Sequence, residues 1–127
     1  MESRTLSALA AAAALALSNA APQAAPRAES AMECGVAADM AVVAHSLARE
    51  NIQRPKADAI MVRIYDVSES ERGKQLMRDI VEAAYSSQHN AGASAGGTAA
   101  SQEFAEALFA TCLERGGDMD PILGRRS

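Results

Sequence analysis

Two cysteines and two histidines are the residues of this 127-residue chain best suited to chemistry. The stretch ECGVAADMAVVAHSLARE, residues 33–50, holds the first of each, Cys34 and His45. A thiol beside an imidazole is a nucleophile with its base, or two donors of a metal site. The stretch has helical texture, which puts the two residues about three turns and ~16 Å apart along one axis. A base must stand within about 3 Å of its nucleophile, so His45 cannot serve Cys34 on one continuous helix. His89 could reach Cys34 only if a Ser/Gly/Ala-rich loop folded over it. Cys112 is the better partner, because the chain has no CxxC and an even pair of cysteines in an exported chain reads first as a disulfide. The two lie 78 positions apart. Closing a loop that long stabilises a fold by roughly 4 to 5 kcal/mol in the chain-entropy model.

The remaining chemistry is thin. A metal site at His45 or His89 needs further donors of matching type. The methionines Met32, Met40, Met61, Met77 and Met119 fall mostly at core spacing, so no metal or cofactor is implied. Glu69 with Glu71, Glu103 with Glu106, and Asp118 with Asp120 are paired carboxylates. They sit at helix starts or in the tail, where acidic groups complement the helix dipole. A glycosidase needs its two carboxyls facing across a cleft. The chain has no Gly-x-Ser-x-Gly, His-Glu-x-x-His or phosphate-cradling glycine loop, and the reading is non-enzymatic. A formal charge of −4 gives no electrostatic footprint for nucleic acid. Tyr65, Tyr85, Phe104 and Phe109 are the only aromatics, too few for a base-stacking platform.

The first residues set the compartment. Arg4 precedes an apolar Ala/Leu run from Leu6 to Leu17, and Ser18-Asn19-Ala20 offers small residues at a signal-peptidase site. The pattern fits a secretory signal peptide, residues 1–20, cut after Ala20. The run is shorter than the roughly 18 to 20 residues that span a bilayer, and no transmembrane segment is expected in the mature chain. Glu33 sits where a lipoprotein site needs a small residue, which argues against a lipid on Cys34. The expected location is the periplasm or the exterior.

The positioning elements are expected to be all helical. Residues 21–31 read as a disordered leader, followed by a single helical domain, 32–127. A first helix from Met32 to Ile52 carries Val36, Met40, Val43 and Leu47 on one side. Cys34, Ala38, Ala41, Ala48 and Ile52 line the adjoining side, a broad stripe of small residues suited to two close neighbours. Pro55 opens a second helix to Tyr65, with Ile60, Met61, Ile64 and Tyr65 on one face. Ser68 and Glu71 form a capping box for a third helix starting near Glu69. Its stripe is Leu76, Met77, Ile80, Val81, Ala84 and Tyr85, with Arg78 and Glu82 as an i,i+4 pair. Residues 86–100, SSQHNAGASAGGTAA, read as a flexible loop that carries His89. A last helix from Ser101 to Arg115 places Phe104, Ala105, Leu108, Phe109, Cys112 and Leu113 on one face and stops at Gly116-Gly117. Ile122 and Leu123 of the tail are suited to folding back on the core.

The segments CGVAADMAVVAHSLARENIQ, IMVRIYD, LMRDIVEAAY and FAEALFATCLERGG, behind a signal peptide, resemble a group of small exported two-cysteine helical proteins of Gram-negative bacteria. That group has a Cys near the start of the first helix, an Ala-Tyr ending a middle helix and a Cys in the last. Cys34, Ala84-Tyr85 and Cys112 match it. The likeness spans about residues 33–116. Where the group commonly has Gly after the first helix, this chain has Asn51-Ile52. The group brings no established activity, so the resemblance implies fold and compartment alone.

The expectation is a small bundle of about four helices, tied by one disulfide between the first and last. It would act as a binding or structural module, with His45, His89 and Tyr85 as candidate surface residues. The residues name no partner; a protein of the cell envelope is the class that export suggests. An acid-stress periplasmic chaperone is the alternative, since protonating carboxylates and histidines loosens packing and exposes apolar surface.

Overall fold

The computed structural model describes residues 27–67, 69–91 and 96–125. The expected signal peptide, residues 21–26 of the expected leader, and Ser68 of the expected capping box lie outside them. The described residues form helices and no strand: α1 (Ala31–Arg49), α2 (Arg54–Ile64), α3 (Glu71–Ala91), α4 (Gly97–Glu114) and α5 (Asp120–Leu123).

α1 is the central helix, packed on α3 along one side and on α4 along the other. Its length and composition would let it cross a membrane, but here it forms the middle of the core. It starts on a reciprocal cap. Ser30 Oγ accepts from the Glu33 N–H at 3.1 Å, and Glu33 Oε1 accepts from the Glu29 N–H at 2.9 Å. It stops three residues short of the expected Ile52. Asn51 takes a left-handed conformation (φ 61°), the Ile52 N–H bonds to Leu47 O, and the Asn51 N–H bonds to Ala48 O. This is a Schellman turn with asparagine in the usual glycine position.

Cys34 and Cys112 are joined, with Cα atoms 5.7 Å apart, so the bond links α1 to α4 as expected. The α1 face contains Ala37, Ala41, Ala44 and Ala48, and the α4 face Ser101, Ala105, Leu108 and Cys112; all are buried. Small side chains let the two backbones approach closely. Val36, Phe109 and Leu113 were expected inside; they are 42%, 37% and 46% exposed. The contact between α1 and α4 is filled by the alanines, so these larger groups fall at its edge.

Residues 27 and 28 of the expected leader are packed against the bundle, while 29 and 30 are exposed. Arg27 and Ala28 are buried, and the Ala28 N–H bonds to Gly117 O at 3.2 Å. α3 starts at Glu71, and Ser70 caps it: its Oγ accepts from the Gly73 N–H at 2.9 Å. Glycine at 73 lets Val67 pack closely, since a Cβ there would come within 3.1 Å of its side-chain carbons. Of the expected 86–100 loop, residues 86–91 and 97–100 are helical and 92–95 lie outside the described residues. α3 continues through Ala91 because Gln88 extends its buried line beyond Ala84, and α4 begins at Gly97. On α2 the buried residues are Ala57 and Met61, while Ile64 is 53% exposed. Arg78 bonds Gln75 rather than Glu82, which is taken by Arg54 of α2. Ile122 and Leu123 do pack on the core, and Met119 beside them is fully buried.

Candidate functional site

The three candidate surface residues separate into two environments. Tyr85 and His89 line one cleft of ≈ 380 Å³, at the corner between α1 and α2 and against the C-terminal half of α3. His45 is 3% exposed and belongs to the α1–α4 interface, not to a surface.

The cleft follows from the Schellman turn. Asn51 reverses the chain, Ile52 and Gln53 lead out of it, and α2 starts at Arg54, one residue before the expected Pro55, which sits in its first turn. The Tyr85 hydroxyl donates to the Ile52 carbonyl, fixing the corner to α3. The Arg54 guanidinium lies over the Tyr85 ring, 5.4 Å from its centroid, and its Nη1 pairs with Glu82 Oε2 at 2.8 Å. Burial pushes the Tyr85 phenol up, Arg54 pulls it back in part, and Asp58 adds to the rise. The hydroxyl therefore stays protonated and remains a donor. Asn51, Gln53, Gln88 and His89 add amide and imidazole groups to the lining, and Ala48 and Ile52 add apolar surface. Such a cleft can hold a ligand by stacking, charge and hydrogen bonding.

His45 has a different role. Its Nδ1 shares a 2.8 Å hydrogen bond with Ser101 Oγ, itself 1% exposed, and its ring stacks on Phe104 with centroids 5.1 Å apart. Burial, and secondarily the charge of Arg49, hold the imidazole below its ordinary value of 6.5. The separation suits a hydroxyl and its base, but both groups are closed off from solvent. A nucleophile has to meet its substrate, so this pair is a structural hydrogen bond in the bundle. Cys34 carries no free thiol. Among the described residues, no three His, Cys, Asp or Glu side chains are grouped to hold a metal.

Sequence reading missed Ser101, Arg54 and Arg27. Ser101 was placed at a helix start beside the loop, where a serine reads as a cap. Arg54 precedes Pro55, a place that reads as a helix boundary and hides its role. Arg27 was assigned to the leader, though a lone arginine in an Ala/Pro segment was a signal that could have been weighed. Comparison with protein-family models, with curated proteins and with solved structures gives no match.

Proposed function

We propose that this chain is a non-enzymatic exported protein that works in the periplasm by binding, with the cleft at the α1–α2 corner as its site. The observation that carries this is the meeting of Tyr85, Arg54 and His89 around a ≈ 380 Å³ opening on a disulfide-stapled frame. That size falls within the roughly 300 to 1,000 Å³ range of small-ligand sites. The apolar N-terminal segment and the disulfide support an oxidising compartment. Retention in the periplasm and cleavage after Ala20 belong to this proposal, as does a partner from the cell envelope.

The test is native mass spectrometry of the protein recovered from the periplasmic fraction, wild type against Arg54→Gln. The expected result is a chain beginning at Ala21 that carries an adduct, with the adduct lost in the variant. A chain that retains residues 1–20, or one that carries no adduct in either form, overturns the proposal.

The acid-stress chaperone is a second reading, favoured by the buried imidazole of His45, which acid would charge inside the helix interface. Suppression of client aggregation at about pH 2 to 3, where molten states form, is its expected activity. Absence of protection there removes it.

A further inference from the structure

Arg27 is the only arginine or lysine buried among the described residues. Its guanidinium is fully engaged. Nε meets Asp79 Oδ2 of α3 at 3.2 Å, Nη1 meets Asp120 Oδ1 of α5 at 2.6 Å, and Nη2 donates to Gly124 O at 2.9 Å. Ala28 beside it is wholly buried and bonded to Gly117 O. On the outer side, Arg72 of α3 pairs with Glu29 at 3.3 Å and Glu33 at 2.7 Å. Arg72 also donates to Arg27 O at 3.4 Å. Residues 27–30 thus form a strap fastened to α3, to α5 and to the turn between α4 and α5. Next to the strap lies a mostly apolar cleft of ≈ 140 Å³. Val36, Met40, Val67 and Leu76 line it, and Arg27, Glu33 and Arg72 also border it.

The ion pairs of the strap, Arg27 with Asp79 and Asp120 and Arg72 with Glu29, all end on a carboxylate. We infer that the Arg27–Ser30 strap is an acid-released latch: protonating the carboxylates that face Arg27 and Arg72 frees the strap and opens the apolar cleft, while the Cys34–Cys112 bond keeps α1 and α4 together. The inference stands independently of the cleft at the α1–α2 corner.

The charged groups around the strap are Asp79 and Arg72 from α3, Asp120 from α5, Asp118 from the preceding turn, and Glu29 and Glu33 from the strap and α1. A guanidinium at 3% exposure is tolerated because it is paired. Once the carboxylates are neutral, it is a buried charge without a counter-charge, and the easiest relief is to move into water. The strap has no helix of its own to lose, so it belongs to the low-stability end of the structure. The window follows from the groups that titrate. The Glu29 N–H, and then Arg72, hold the Glu33 carboxyl below its ordinary 4.5. The Asp120 N–H, and then Arg115, hold Asp118 below its ordinary 3.8. Depressed carboxyls stabilise the fold above those ordinary values and cease to do so as pH falls below them. The latch is therefore closed at neutral pH, and its Glu33–Arg72 side loosens as pH falls through the lowered value of the Glu33 carboxyl.

The experiment is an NMR titration of the oxidised chain from pH 7 to pH 2.5. It compares the amides of Ala28 and Glu29 with those of Ala41 and Leu108, and a hydrophobic dye is added in parallel. The expected result is that the strap amides reach disordered positions and lose about tenfold or more in protection. The dye binds at the same pH, while Ala41 and Leu108 stay dispersed. Simultaneous loss of strap and core amides, or a strap still in place at pH 2.5, overturns the latch. Repeating the titration with His45→Asn separates the latch from the imidazole, which lies about four turns along α1; an unchanged strap midpoint is expected, and a midpoint that moves with His45 overturns it. The pair Asp79→Asn with Asp120→Asn is expected to open the strap at pH 7. A closed strap in that folded variant counts against the latch; if the variant does not fold, the wild-type titration decides.

Discussion

His45 Nδ1 and Ser101 Oγ lie 2.8 Å apart, three helical turns from the Cys34–Cys112 bond on both α1 and α4. The covalent bond and the hydrogen bond are two rungs of one antiparallel helix pair. Between them run Ala37, Ala41 and Ala44 of α1 and Ala105 and Leu108 of α4, all buried. The spacing that keeps His45 from acting on Cys34 is the spacing that lets each residue meet its own partner across the interface.

The first prediction concerns that imidazole. Folding lowers its pKa, because burial disfavours the charged ring. The stability contributed by neutral His45 is complete above about pH 6.5 and is lost as pH falls below that value through the folded-state pKa. Urea unfolding of wild type is expected to weaken between pH 7 and pH 5. His45→Asn, which cannot take up a charge, is expected to show a flatter profile, and equal slopes would refute the assignment.

The disulfide is expected to carry a large share of the stability. For a closed loop of 78 residues, the chain-entropy relation gives about 4.5 kcal/mol. Replacing both cysteines, Cys34→Ala with Cys112→Ala, should lower the unfolding free energy by about 2 to 5 kcal/mol. Reducing agent should do the same to wild type and leave the double variant unchanged.

Arg27 and its carboxylates should behave asymmetrically. The arginine side chain is 3% exposed, whereas Asp79 and Asp120 are 19% and 36% exposed. Arg27→Met leaves two carboxylates that water can reach, at an expected cost of about 1 kcal/mol. Asp79→Asn with Asp120→Asn removes both counter-charges, so that the strap is released together with its packing, and is expected to cost more, up to about 3 kcal/mol. Denaturant midpoints in the reverse order would show that the arginine is hydrated in solution.

Asn51 holds the corner that shapes the cleft, at φ 61°. Asn51→Gly suits that conformation and is expected within about 0.5 kcal/mol of wild type. Asn51→Ala meets the left-handed penalty and is expected to cost about 1 kcal/mol. Thermal unfolding of the two variants side by side measures the difference.

Tyr85→Phe keeps the ring under Arg54 and removes the bond to the Ile52 carbonyl. The expected loss is about 1 kcal/mol, with chemical-shift changes concentrated at Ile52, Gln53 and Arg54. Changes spread along α4 instead would mean that the hydroxyl does not anchor this corner.

The sequence by itself determined the helical class, the approximate helix positions, the Cys34–Cys112 pairing and part of the small-residue face of α1, namely Cys34, Ala41 and Ala48 without Ala37 and Ala44. Each of these is encoded locally or by elimination: hydrophobic spacing marks helices, Pro55 and Gly116-Gly117 mark stops, and two cysteines leave one pairing. The tail contact of Ile122 and Leu123 was legible too, since apolar residues after a helix stop have a core at hand. Tertiary structure alone decided the rest. Arg27 looked like leader until Asp79 and Asp120, 52 and 93 positions away, were seen to enclose it. His45 and Ser101 became a pair only when α4 lay against α1. Tyr85 and His89 joined Arg54 because Asn51 turned the chain where a helical pattern seemed to run on. A lone polar side chain carries no mark of its partner in sequence, because the partner is chosen by how the helices pack.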